Sequence, residues 1–290
     1  MRYVAIFFLF SLALACGGAT DEPAPLVAGP GTVAAPDGVS VAYTVSGAGS
    51  PVLVFIHGWM CDQSFWAAQV EEFSESNTVI TIDLPGHGLS GMDRDNWQLL
   101  AFGGDVQTVV EHLDLDEIVL MGHSMGGSTA LEAARLMPDR VIGVVAVDSL
   151  QDADAKYDPD QFNAVLTAYE KDFAGTCLQF TSSMFLESAD PELIERVTND
   201  MCDHSPEIAI ALLREFFNYE MGPALAAVDV PVRYINAGMY PTNPEVNQKY
   251  NPTFSGVVVQ DVGHFLMMEE PGEFNELLRE VVEALEPAEG

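Results

Sequence analysis

The segment GHSMG, residues 122–126, constrains the fold of this chain more than any other feature. It places a serine between two glycines directly after an apolar run. The residues before it, Glu117 to Met121, are typical of a buried strand, and Ser128 to Met137 have a helical pattern. A serine on so tight a turn adopts a strained backbone that exposes its hydroxyl, and the flanking glycines avoid collisions with the strand and helix. The stretch predicts a strand, a sharp turn and a helix, with Ser124 at the turn; the alternative is an ordinary turn with an incidental serine.

Strands and helices alternate along most of the remaining chain. Residues 39–45 alternate as in a half-exposed strand, and residues 51–56 form the unbroken apolar run of a buried one. Further buried strands are predicted at residues 78–82, 117–121, 141–147, 231–236 and 255–262, and helices at residues 66–73, 99–113, 128–137 and 273–285. This alternation predicts an α/β fold whose sheet begins antiparallel and becomes a mostly parallel, doubly wound sheet with helices on both faces.

The alternation is interrupted once, by residues 150–225, where amphipathic helical patches replace strands. We therefore expect a core formed by residues 31–149 and 226–290, with a helical cap inserted over the edge of the sheet where α/β folds bind ligands. The aromatic and methionine side chains of the cap would line a pocket there or pack only the interior of the cap. These side chains are Phe173, Phe180, Met184, Phe185, Met201, Phe216, Phe217, Tyr219 and Met221.

The N-terminus is predicted to be an export signal. Arg2 precedes a short apolar segment that ends in small residues at Cys16, which is typical of a bacterial lipoprotein signal over residues 1–16, and residues 17–30 are predicted to be a flexible tether. The protein would then be exported to the cell envelope and attached to a membrane only through a lipid on Cys16. Cleavage near Ala15, giving a secreted or periplasmic protein, and a short membrane anchor are the alternatives.

Charge and cysteine content exclude two classes of partner. With 44 acidic residues against 11 basic ones, the net charge of −33 lacks the clustered cations that nucleic-acid binding needs. The acidic surface would suit a salty habitat or an ordinary acidic exported protein. Beyond Cys16, the spacing of Cys61, Cys177 and Cys202 is not that of a metal site. Cys177 and Cys202 both lie in the predicted cap and are either a disulfide pair or two free thiols.

Three more segments, taken with the serine turn, resemble the α/β-hydrolase superfamily. They are residues 57–66 (HGWMCDQSFW) and residues 83–90 (DLPGHGLS), each directly after a predicted strand, and residues 261–266 (DVGHFL), at the end of the last predicted strand. The resemblance implies an esterase-like serine hydrolase with a helical cap and Ser124 as the nucleophile. It also implies an oxyanion hole formed by the backbone N–H groups of Trp59 and Met125. His57, Asp83 and His87 would then hold loops rather than take part in chemistry.

The same resemblance implies that His264, after the last strand, is the general base. In most relatives the acid of the triad follows the seventh strand, but residues 231–243 contain no carboxylate and Tyr240 stands near the expected position. Asp148 ends the sixth strand, which is the acid position in some branches similar to haloalkane dehalogenases and lipases. We therefore predict that Asp148 orients His264, the alternative being an aspartate that only caps the following loop.

Ser124, His264 and Asp148 together predict transfer of an acyl group from a small-molecule substrate to water through an acyl-enzyme. A carboxylic ester is the expected substrate, and lactones and thioesters share the chemistry. No cofactor or metal is implied. The rival hypothesis is a lipid-anchored protein that binds small molecules on the same fold without catalysis.

Overall fold

Eight strands form one sheet within residues 26–285, the part of the chain that the computed structural model describes. The predicted signal, including Cys16, and most of the predicted tether lie outside this range. The strands are β1 (Gly29–Ala34), β2 (Ser40–Ser46), β3 (Val52–Ile56), β4 (Val79–Asp83), β5 (Ile118–His123), β6 (Val141–Val147), β7 (Val232–Ala237) and β8 (Ser255–Val259). Their order across the sheet is β1-β2-β4-β3-β5-β6-β7-β8.

The direction of the strands changes at β4. β1 pairs antiparallel with β2 and β2 pairs antiparallel with β4, whereas every pairing from β4 to β8 is parallel. This confirms the predicted sheet, which begins antiparallel and becomes parallel. Parallel strands end at one edge of the sheet, and that edge carries the loops after β3, β5, β6 and β8 that contain the predicted site residues.

Helices cover both faces of the sheet, and all five residues of β3 are accordingly buried. α1 and α11 pack together in one layer, and α2 and α3 pack together in the other. The helices are α1 (Ala67–Phe73), α2 (Leu99–His112), α3 (Met125–Leu136), α4 (Pro159–Lys171), α5 (Phe173–Ser182), α6 (Pro191–Cys202), α7 (Pro206–Asn218), α8 (Met221–Ala226), α9 (Pro244–Asn247), α10 (Leu266–Glu269) and α11 (Pro271–Glu283). No helix among the described residues has both the length and the apolar character needed to cross a bilayer.

Two boundaries of the core differ from the sequence prediction, one with the tether and one with the cap. β1 begins at Gly29, so the predicted tether over residues 17–30 overlaps the first strand by two residues. The sequence of β1 gave no strand signal because its residues alternate between half-buried and exposed at the edge of the sheet. α8 lies at the end of the segment predicted as cap, yet it packs on α3 of the core.

The cap consists of α4 to α7, and a disulfide connects two of these helices. Cys177 of α5 and Cys202 of α6 are bonded, which resolves the two alternatives left by the sequence, and Cys61 remains a buried free thiol. α5 was not predicted as a separate helix. Its residues include Gly175 and the weak helix formers Thr176 and Cys177. Its capping by Asp172 and its disulfide to α6 stabilise it instead.

The excess of acidic residues predicts a response to salt. Since 44 carboxylates face only 11 basic side chains, no more than a quarter of the carboxylates can have a cationic partner of their own, and the mutual repulsion of the carboxylates opposes folding. We expect the melting temperature to rise between about 0.05 M and about 1 M NaCl, where screening shortens to roughly 3 Å. Differential scanning fluorimetry measures this shift. The control is the same titration near the isoelectric point of about 4.1, where the shift should be much smaller. A flat or falling curve at neutral pH would contradict the expectation.

Candidate active site

Ser124 occupies a strained turn between β5 and α3. Its φ of 53° and ψ of −119° lie outside the regions that residues with side chains favour. Backbone bonds hold the turn: the Ser124 N–H donates to the carbonyl of Val147 at 3.0 Å, and the Ser124 carbonyl accepts the hydroxyl of Ser149 at 2.6 Å. The neighbouring strand β6 and its loop therefore maintain the strained backbone, while the Ser124 side chain makes no contribution to these bonds.

The glycines of the turn are sterically required. A Cβ atom at Gly122 would collide with the carbonyl group of Gly126, and one at Gly126 would collide with the carbonyl oxygens of Ile56 and His57. These contacts are with backbone atoms, which cannot move aside as a flexible side chain can. The close approach of β3, β5 and α3 therefore depends on both glycines, as the sequence pattern indicated.

His264 and Asp148 form a buried pair. Nδ1 of His264 lies 2.5 Å from Oδ2 of Asp148, whose side chain is fully buried. The other carboxylate oxygen accepts the backbone N–H of Ala237 at 3.0 Å. In the neutral imidazole, donation from Nδ1 to the carboxylate makes Nε2 of His264 the ring atom that can accept a proton. The structure thus brings together the two residues that the sequence predicted as base and acid.

An asparagine, rather than a carboxylate, stands at the end of β7. The side chain of Asn236 accepts the Ser149 N–H at 3.1 Å and donates to the Ser149 carbonyl at 3.0 Å. It thereby fixes the loop that carries Asp148, one residue before Ser149. Tyr240, near the usual acid position, is 45% exposed. The sequence did not indicate the role of Asn236, because only the pairing of β6 with β7 brings it beside Ser149.

Backbone contacts on every side hold His264. The carboxylate of Glu269 accepts the N–H groups of Gly263 at 3.0 Å and Phe265 at 3.2 Å, the two residues that flank His264. The His264 N–H donates to the carbonyl of Met184 in the cap at 2.8 Å. The His264 carbonyl accepts from Nε2 of His123 at 3.0 Å.

Burial raises the pKa of the Glu269 carboxyl. Sequence analysis missed Glu269 and Met184; the position of Glu269 just before the helix that begins at Pro271 was the only signal.

Structural bonds connect the loops after β3 and β4. Nε2 of His57 accepts the N–H of Leu84 at 2.9 Å, and burial lowers the pKa of His57, so its imidazole stays neutral and can accept this bond. The Asp83 carboxylate accepts the N–H groups of Gln63 at 2.8 Å and Leu89 at 2.9 Å. These bonds confirm the loop-holding roles expected for His57 and Asp83.

The predicted oxyanion donors lie next to Ser124. Met125 is the first residue of α3, so its N–H has no acceptor within the helix and is available to a substrate oxygen. Trp59 lies in the loop after β3, and its indole N–H donates to the carbonyl of Ala209 in α7 at 2.9 Å. The cap therefore holds the side chain of the residue whose backbone N–H is the other predicted donor.

A cavity of about 80 Å³ joins these groups. Ser124, His264, Trp59 and Met125 all line it. Five of the nine cap side chains considered in the sequence line it as well, namely Phe180, Met184, Met201, Phe216 and Phe217. Asp148 lies behind His264, outside the cavity lining. The hydroxyl of Ser124 is not hydrogen-bonded to His264 in the described part of the chain, and such bonds often form only in the complex with substrate.

The sequence model of the alpha/beta hydrolase family matches residues 53–277, which span the sheet from β3 onward, the cap and all of the groups above. The chain belongs to the alpha/beta hydrolase family. This confirms the resemblance that the motifs indicated, and the eight-stranded sheet agrees with the fold of this family's solved structures.

Relatives and solved structures in this family carry several activities. The acetyltransferase component of the acetoin cleaving system of Cupriavidus necator is 28% identical over 84% of the chain, and the chain spans 66% of that relative's length. A thermophilic esterase from Thermogutta terrifontis is 25% identical with a TM-score of 0.76, covering 90% of this chain and 100% of that one. The N-acyl homoserine lactone degrading enzyme Est816 is 26% identical with a TM-score of 0.74, covering 84% and 97%. The chain is therefore similar to esterases, lactone-degrading enzymes and acyltransferases.

Proposed function

We propose that this protein is a serine hydrolase that cleaves carboxylic esters or related acyl compounds through an acyl-enzyme. One observation supports this above the others: Ser124, on its strained turn, and His264, which is paired with the buried Asp148, line the same cavity. The triad in the chain order Ser124, Asp148, His264 provides a nucleophile, a base with a free Nε2 and a carboxylate that fixes the tautomer of that base.

In the proposed reaction, Oγ of Ser124 bonds to the substrate carbonyl carbon while its proton passes to Nε2 of His264. The carbonyl π bond breaks, and the resulting oxyanion accepts hydrogen bonds from the N–H groups of Trp59 and Met125. Return of the electron pair re-forms the carbonyl and breaks the bond to the alcohol, which takes the proton from His264. Water then repeats the sequence on the acyl-enzyme and releases the acid. The Asp148 carboxylate stabilises the imidazolium that forms in each half.

A turnover screen tests the proposal. We expect p-nitrophenyl acetate and butanoate to release an initial burst of about one p-nitrophenol per chain, followed by steady turnover, because p-nitrophenol leaves readily and makes acylation faster than deacylation, so that the acyl-enzyme accumulates. Absence of both burst and turnover with every ester, lactone and thioester tried would favour the rival hypothesis of a binding protein without catalysis.

A lactone substrate is the second candidate. The similarity to the N-acyl homoserine lactone degrading enzyme supports it, and ring opening of a lactone uses the same tetrahedral intermediate. A comparison of kcat/KM for short-chain esters and for lactones of similar size separates the two. We expect the ester to be turned over faster.

For the location of the protein we propose a bacterial cell envelope, with a lipid on Cys16 as the only membrane attachment. The support is the sequence alone, in which a short apolar segment and small residues lead to Cys16. Intact-mass analysis of membrane-extracted protein should give a mature chain that begins at a diacylglycerol-modified Cys16. The matched variant Cys16→Ser should lose this mass and the membrane association. A mature chain that begins at another residue would contradict lipidation.

A further inference from the structure

Two cavities meet at a pair of phenylalanines in the cap. Phe216 and Phe217, at the end of α7, line the cavity that contains Ser124, and both also line a second cavity of about 490 Å³. At about 10–15 Å³ for each water molecule, the cavity of about 80 Å³ at Ser124 has room for about six small groups. The second cavity is several times larger, so the two phenylalanines separate a small space from a large one.

The residues that line the second cavity bear on which half of the substrate it would take. His264 must protonate the leaving alcohol, so the alcohol lies beside His264 and the acyl chain points away from it. None of residues 261–270, all of which are described, lines the second cavity, whereas Ser128 does. Ser128 lies one helical turn beyond Met125, whose N–H is the predicted oxyanion donor. This lining favours the acyl chain, rather than the alcohol, as the part of the substrate that the second cavity would take.

Phe217 is held in place by other aromatic rings. Its ring centroid lies 4.6 Å from that of Tyr157, which lines the second cavity, and 4.4 Å from that of Phe162 on α4. These contacts fix the Phe217 ring across the boundary, because aromatic pairs at such distances are mutually stabilising. Phe217 is thus a fixed side chain that lines both cavities, and its truncation would remove part of the wall between them.

We propose that Phe217, with Phe216 beside it, sets the upper limit of acyl chain length, so that the wild-type protein prefers short acyl groups and the second cavity accepts longer ones once Phe217 is removed. This inference rests on the proposed ester hydrolysis. It concerns the acyl chain and not the alcohol, which distinguishes it from a general widening of the site.

The test compares p-nitrophenyl butanoate with p-nitrophenyl decanoate in wild type and Phe217→Ala. The ratio of kcat/KM for decanoate to that for butanoate should rise by about tenfold or more in the variant, since a newly accommodated apolar chain gains binding with each methylene. Phe217→Leu, a smaller change that keeps the cap packed, should raise the ratio by less and replaces the alanine variant if that does not fold. Phe173→Ala is the matched control, because Phe173 is a cap aromatic on α5 that lines neither cavity.

A binding measurement without turnover keeps the two proposals separable. Decanoate should raise the melting temperature of Phe217→Ala more than that of wild type, because a ligand that binds only the folded state stabilises it. If decanoate raises the melting temperature of Phe217→Ala more than that of wild type while neither protein hydrolyses any ester, the proposed role of Phe217 stands and the proposed hydrolysis is rejected. If both proteins hydrolyse esters with the same dependence on chain length, and decanoate raises both melting temperatures equally, the proposed role of Phe217 is rejected and the proposed hydrolysis stands.

Discussion

Ser124→Ala is expected to lower kcat for p-nitrophenyl butanoate by about 10⁶, since loss of the nucleophile of a serine triad removes nearly all of the chemistry that the triad performs. The fold should not change. Backbone groups make the bonds that hold the turn, and alanine keeps the Cβ atom that serine already has at a φ of 53°. Initial rates and a thermal melt of the same preparations measure the two effects.

Ser64→Ala is the control for this variant. Ser64 is an exposed serine in the short 3-10 helix after β3, and its N–H rather than its hydroxyl donates to the Asp62 carboxylate, at 2.8 Å. Its replacement should leave kcat within about twofold, which corresponds to less than ~0.5 kcal/mol of barrier. Retention of activity in Ser124→Ala, with the melting temperature unchanged, would show that another group is the nucleophile.

Asp148→Asn is expected to lower kcat by about 10⁴. An amide of the same shape can still accept the N–H of Ala237, so the loop should keep its position. It no longer offers His264 a charged acceptor at 2.5 Å, and the imidazole loses both the tautomer with a free Nε2 and the stabilisation of its protonated form. Steady-state kinetics and a thermal melt of the variant test this.

The two aspartates that follow Asp148 in the loop between β6 and α4 are its matched controls. Asp152 accepts Nδ2 of Asn243 at 2.6 Å, and Asp154 accepts the hydroxyl of Tyr250 at 2.7 Å. Their substitution by asparagine should reduce kcat by no more than about tenfold, or 1.4 kcal/mol of barrier. Turnover near the wild-type value in Asp148→Asn would move the search to these aspartates or to a triad without a carboxylate.

The sequence was sufficient where function depends on a short stretch of chain. The turn at Ser124 could be predicted because its glycines lie within five residues and their steric role is local. Asp148 directly follows β6 and His264 lies in the loop after β8, and both could be predicted because parallel strands present their carboxyl ends at one edge. The 2.5 Å contact between these two residues, 116 positions apart, follows from that topology.

Contacts made through the fold could not be predicted. Asn236 reaches Ser149 only because β7 pairs with β6, and Met184 reaches the His264 N–H only because the cap folds over the sheet. No periodicity in the sequence encodes either contact. The same holds for the cap side chains: the sequence could name Phe173 and Phe217 as candidates for a pocket wall, and only the packing of α4, α5 and α7 shows that Phe217 lines the cavity and Phe173 does not.

Labelling with a fluorophosphonate tests the central claim most directly, because this reagent reacts with an activated serine hydroxyl and needs no knowledge of the substrate. Digestion and mass spectrometry of the labelled protein should find one adduct per chain, on Ser124, and Ser124→Ala should carry none. Labelling of Ser124→Ala at the wild-type rate, or an adduct on another residue of the wild-type chain, would contradict the assignment of Ser124 as the nucleophile.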